Sequence, residues 1–150
     1  MTKIIFINYD DEKFNTVKAI RTEVFTDEQG ANAGEEFDKY DSNSTFALMY
    51  EDENPIGTAR ISNTDKGLKI GRIAIKKTCR GKGYGAKLVS AVTDKAFGLG
   101  GDEVFVDAQN YAIPFYERLG FEIIGDEIID RGLVHTQMSI KKEIFYDKEK

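Results

Sequence analysis

A chain of 150 residues, 41% of them hydrophobic and 31% charged, has room for one compact domain with its own core, and its balance excludes a disordered or fibrous protein. Its 21 basic against 26 acidic residues leave a net charge of -5; that argues against a nucleic-acid binder held by phosphate neutralisation and suits a small cationic partner better. Cys79 is the only cysteine, so no intrachain disulfide or cysteine-based zinc site can form, and a reducing, cytoplasmic setting is the simplest expectation.

The N-terminal run ends at Asn8, too short for a signal-peptide core, and no apolar stretch approaches the roughly 18 residues of a membrane span, so neither export nor a membrane partner is expected. Lys3 to Asn8 reads as a strand, and Phe14, Val17, Ile20, Val24 and Phe25 then recur at helical spacing. Asp27 to Asn43 is acidic and without clear period, which predicts a loop or broken helix. Thr45 to Tyr50 and Ile56 to Ser62 predict an antiparallel hairpin around a turn that contains Pro55. Leu68 to Ile75 follows as a strand whose alternation slips between Ile70 and Ile73, with Gly71 inside the slip, as in a β-bulge.

Beyond Arg80 to Gly85, the residues Leu88, Val92, Ala96 and Leu99 keep helical steps until Gly100 and Gly101. Val104 to Ala108 predicts a strand, Ala112 to Leu119 a short helix ended by Gly120, and Phe121 to Ile129 with Val134 to Lys141 a closing pair. The whole, residues 1–150, reads as a single α+β domain built on a mixed, mostly antiparallel sheet, with two crossover units in its second half.

The segment RGKGYG, Arg80 to Gly85, joins a strand to a helix. Closely spaced glycines ahead of a helix present free backbone N–H groups and the positive end of the helix dipole to one point, which binds anions. Gly81, Gly83 and Gly85 allow close approach of a phosphate, and Arg80 and Lys82 add charge. A plain tight turn would need fewer glycines. Gly81, Gly83 and Ala86 also satisfy the dinucleotide fingerprint of a nicotinamide-dependent oxidoreductase, but that unit opens a run of βαβ repeats, and here several strands precede it. No P-loop is present.

RGKGYG is similar to the Q/R-x-x-G-x-G/A signature of the GCN5-related N-acetyltransferase (GNAT) family, at Arg80, Gly83 and Gly85. NYAIPFYERLGF, Asn110 to Phe121, resembles the family's second cofactor segment at Asn110, Ala112, Phe115, Tyr116, Gly120 and Phe121, and RTEVFTDEQ, Arg21 to Gln29, resembles the first helix of one bacterial branch. The resemblance implies a three-layer α/β/α fold and transfer of an acetyl group from acetyl-coenzyme A to a small-molecule or peptide amine by direct attack.

In that reading the pyrophosphate lies on Arg80, Gly81, Lys82, Gly83, Tyr84, Gly85 and Ala86. The pantetheine arm pairs with the backbone of Ile73, Ala74 and Ile75, Asn110 caps the last short helix and bonds the same arm, and Tyr116 protonates the departing thiolate. Some relatives use as base a glutamate on the strand that corresponds to Leu68 to Ile75, where this sequence has no carboxylate. Glu36, Asp38, Asp107 and His135 therefore stand as candidates beside water-mediated deprotonation, with Glu36 and His135 preferred. A covalent role for Cys79 is disfavoured because no histidine is near it in sequence. A non-catalytic acyl-coenzyme A sensor is the alternative, and a homodimer is allowed.

Overall fold

The computed structural model describes residues 1–30, 40–130 and 132–147. Its strands are β1 (Thr2–Asn8), β2 (Thr45–Glu51), β3 (Asn54–Thr64), β4 (Gly67–Ile75), β5 (Glu103–Gln109), β6 (Glu122–Asp130) and β7 (Leu133–Lys141). They form one seven-stranded sheet in the order β1-β2-β3-β4-β5-β7-β6. Every neighbouring pair is antiparallel except β4 with β5.

Among the described residues four α-helices accompany the sheet: α1 (Phe14–Arg21), α2 (Tyr84–Gly98), α3 (Ile113–Arg118) and α4 (Lys142–Asp147). Alternation along β2 shows how the layers arise, because successive side chains of a strand point to opposite faces. Phe46 and Leu48 pack with Phe14, Val17 and Ile20 of α1, while Ala47 and Met49 pack with Leu88, Val89 and Val92 of α2. Both faces of β2 are thus buried, and the three-layer architecture follows.

Past Arg21 the first helix widens into a π-helical stretch, Thr22–Glu28. The wider turn brings Ile20 and Phe25 onto one face beside Val24, and all three are buried.

Two departures from regular geometry shape the middle of the sheet. Thr58 of β3 stands opposite Ala74 of β4 and Arg60 opposite Gly71, so Arg72 and Ile73 together oppose a single β3 residue. The bulge expected there is present, but its left-handed residue is Arg72, with φ 48°, rather than Gly71. The second departure is that β4 pairs with β5 only over Leu68–Ile70 against Val104–Val106.

Beneath β3, Asp41 accepts hydrogen bonds from both terminal nitrogens of Arg21, at 3.0 and 3.2 Å, and from Arg60 at 3.0 Å. All three residues are buried. The cluster ties α1, the turn Asp41–Asn43 and β3 together.

Candidate active site

Where the bulge ends the β4–β5 pairing, the two parallel strands diverge. Among the described residues, the backbone of β4 from Gly71 to Ile75 and that of β5 from Asp107 to Gln109 are not paired with each other. A wedge opens between them, edged by main-chain donors and acceptors that an extended ligand could satisfy in the manner of an added strand.

One end of the wedge meets the glycine turn. Gly81 and Gly83 have φ of 83° and 80°, a region L-residues rarely adopt, and a Cβ at either would meet nothing within 4 Å. The backbone there is therefore bare on its outer side. Gly83 precedes α2 with no side-chain cap, so the first-turn N–H groups face the same space with the positive helix end behind them. This donor set fits a diphosphate. Phe115 of α3 lies 3.7 Å from where a Gly85 Cβ would stand, which sets α3 against the turn.

Two carboxylates hold the side chains of the turn. Arg80 donates through both terminal nitrogens to Glu28, the second contact being 2.7 Å, and through Nε to the Ile75 carbonyl at 2.9 Å. The hydrogen bonds from Arg80 hold the Glu28 carboxyl below its ordinary range. Tyr84 donates its hydroxyl to Glu51, and that bond raises the phenol's pKa. Next to Glu28, Gln29 accepts a hydrogen bond from Gln109 at 3.1 Å. The end of the π-helical stretch thus reaches both lips of the wedge, β4's exit at Arg80 and β5's end at Gln109.

At the inner end of the wedge lies a cavity of about 70 Å³ lined by Ile73, Asp107, Tyr116 and His135, among others. Tyr116 is only 7% exposed and sits edge-on to Phe115 and Phe121, with ring centroids 5.1 and 5.5 Å away. Burial pushes its phenol well above the ordinary tyrosine range, so it stays a proton donor throughout neutral and moderately alkaline pH. His135 is buried, with Nδ1 2.9 Å from the Leu133 carbonyl. A carbonyl can only accept, so Nδ1 is the donor in this contact.

Arg72, Val106 and Asp107 line this cavity and also a cleft of about 450 Å³ on the α1 side of the sheet. Asp107 forms an ion pair with Lys69, and Arg72 with Asp130 at 3.5 Å. The wedge and the cleft therefore meet at one point, beneath Tyr116.

Of the residues expected from the sequence, Ile73, Tyr116, His135 and Asp107 converge on the cavity, and Arg80 to Ala86 form the turn and first helical residues beside it. Ala74 and Ile75 continue the β4 lip. Glu36 and Asp38 lie outside the described residues. Asn110 does not cap the short helix: α3 starts at Ile113 with Ala112 at its N-cap, while Asn110 opens a 3₁₀ turn. Its amide instead donates to Glu127 at 2.6 Å and accepts from Thr136 at 2.7 Å. The 3₁₀ turn inserted ahead of the helix carries it out of capping range and toward β6 and β7. Sequence reasoning missed Glu28 and Arg72; the period slip around Gly71 was the available signal for Arg72.

The sequence profile of the acetyltransferase (GNAT) domain matches residues 7–142. The uncharacterized N-acetyltransferase YjcF of Bacillus subtilis (strain 168) is 32% identical over 130 residues, covering 86% of this chain and 93% of its own. A structure from Lactobacillus plantarum assigned as an N-acetyltransferase superposes with a TM-score of 0.83 at 28% identity, over 93% of this chain and 97% of that one. N-acetylglutamate synthase from Neisseria gonorrhoeae, solved with coenzyme A and N-acetyl-glutamate, shares the fold with a TM-score of 0.67 at 20% identity, over 93% of this chain and 35% of its own. No helix among the described residues is long and apolar enough to cross a membrane. Matched along nearly its whole length, this chain belongs to the GNAT acetyltransferase family.

Proposed function

We propose that the protein moves an acetyl group from acetyl-coenzyme A to a primary amine by direct attack. The observation that carries this reading is the wedge between β4 and β5, which leads from a bare glycine turn to a buried phenol. The thioester supplies the activated acyl carbon. The chain's own residues do the rest. Backbone N–H groups of Arg80 to Ala86 bind the pyrophosphate, and those of the bulge near Ile73 polarise the acyl oxygen as it gains charge. The amine nitrogen bonds to the acyl carbon, the C–S bond breaks, and Tyr116 gives its proton to the sulfur. His135 and Asp107 line the cavity in which the nitrogen would lose its proton.

Calorimetric titration with coenzyme A, followed by mass detection of acetylated product over an amine panel, tests the reading. Binding and transfer are expected. Binding without transfer to any amine would make the protein an acyl-coenzyme A sensor, and stabilisation by NAD alone would overturn the cofactor assignment.

Glu28 gives a second test. A pyrophosphate that engages Arg80 must take its guanidinium from Glu28, so Glu28→Gln is expected to tighten coenzyme A binding about three- to tenfold, the range of a partly exposed ion pair with bidentate geometry. Because folding lowers the Glu28 pKa, the pair persists from neutral pH down through the ordinary carboxylate range. It is lost only as the pH falls through the depressed value. Weaker binding by the variant would instead mean that Glu28 positions Arg80 for the cofactor.

A further inference from the structure

We infer that the acceptor amine carries an apolar alkyl or aryl group that lies against the isoleucines of β6, an inference that rests on the acetyl transfer proposed above. The cleft of about 450 Å³ shares Arg72, Val106 and Asp107 with the cavity under Tyr116, so an amine seated in it reaches the acyl carbon without crossing the cofactor's path. One wall of the cleft is Ile124, Ile128 and Ile129 of the edge strand. Ile124 and Ile129 are 49% and 78% exposed.

The sequence creates that wall by an irregularity. Ile123 stands opposite Met138 and Glu127 opposite Thr136, so three residues of β6, Ile124 to Asp126, stand against the single Gln137 of β7. Ile124 is thereby released from the ladder at the cleft rim. Exposed isoleucines on an edge strand invite aggregation, and a patch retained beside a reaction site marks a binding groove.

Of the charged residues that line the cleft, Lys69 pairs with Asp107, Arg72 with Asp130 and Arg60 with Asp41, and the neighbours Asp65 and Lys66, opposite in charge, stand exposed at its edge. A polyamine or amino sugar would place further charges or hydroxyls against the isoleucines and lose hydration there without a return. An alkyl chain gains on the same surface, by about fourfold in affinity for each methylene that leaves water.

The test uses the full chain and measures both calorimetric binding and acetyl transfer for n-propylamine, n-hexylamine, spermidine and glucosamine. From propylamine to hexylamine kcat/KM is expected to rise on the order of sixtyfold. The double variant Ile124→Ser with Ile128→Ser, made at exposed and half-buried positions, should flatten that rise below tenfold and keep coenzyme A affinity. A flat series, or a preference for spermidine or glucosamine while transfer is intact, overturns the inference and leaves the acetyltransferase reading standing. Hexylamine binding that the double variant abolishes, in a protein that acetylates nothing, upholds the amine seat and sinks the transfer. Neither binding nor transfer of hexylamine overturns the inference as well.

Discussion

Tyr116→Phe is expected to lower kcat by about 10²- to 10⁴-fold, the usual worth of a positioned proton donor, while coenzyme A affinity stays within about twofold. The substitution removes one oxygen and keeps the ring that packs edge-on against Phe115 and Phe121, so the fold and the wedge are preserved. Because burial raises the phenol's pKa, loss of the donor by ionisation falls above the ordinary tyrosine range. The wild-type rate should therefore not decline on that account between neutral pH and the usual tyrosine pKa. Single-turnover kinetics with a good amine give the comparison, and an unchanged kcat would reduce Tyr116 to a packing residue.

The second large effect is on stability. Asp41→Ala leaves the guanidiniums of Arg21 and Arg60 buried without the carboxylate that both contact. Breaking a buried pair from one side costs about 3–5 kcal/mol, which for a chain of this size lowers Tm by roughly 6–20 °C. Asp41→Asn retains an acceptor oxygen and should cost less. Chemical denaturation of the three proteins at one pH gives the ranking. A loss below about 1 kcal/mol for the alanine variant would show that Asp41 is not the carboxylate on which the two arginines depend.

Much of this architecture was legible because it is written in local patterns. The hairpin Thr45 to Ser62 has two apolar runs around a turn, the helix after Gly85 keeps its spacing to Gly100, and the slip between Ile70 and Ile73 announced the bulge that opens the wedge. Asp41 was not legible as a buried ion because an acid in a polar stretch reads as solvated. Only the convergence of Arg21 and Arg60, 20 and 19 residues away in sequence, takes it from water.

Glu28 was hidden for the same reason: its partner, Arg80, is 52 residues distant. α4 was missed because KKEIFYD continues a strand and offers a single helical turn of evidence, Phe145 being its buried residue. The capping expected of Asn110 follows a rule that is sound for α-helices, and the 3₁₀ turn between the strand and the helix defeats it.

The short parallel contact between β4 and β5 has a mechanical consequence. Three residue pairs join a four-stranded half, β1 to β4, to a three-stranded half, β5 to β7, whereas the other junctions run to six or seven pairs. The two halves are natural candidates for separate units of local opening, with α2, which packs against both β4 and β5, as the brace between them. Anything that bridges the wedge while anchored at the start of α2 would then act as a splint, adding interstrand bonds where the sheet has fewest and stiffening the protein across its seam.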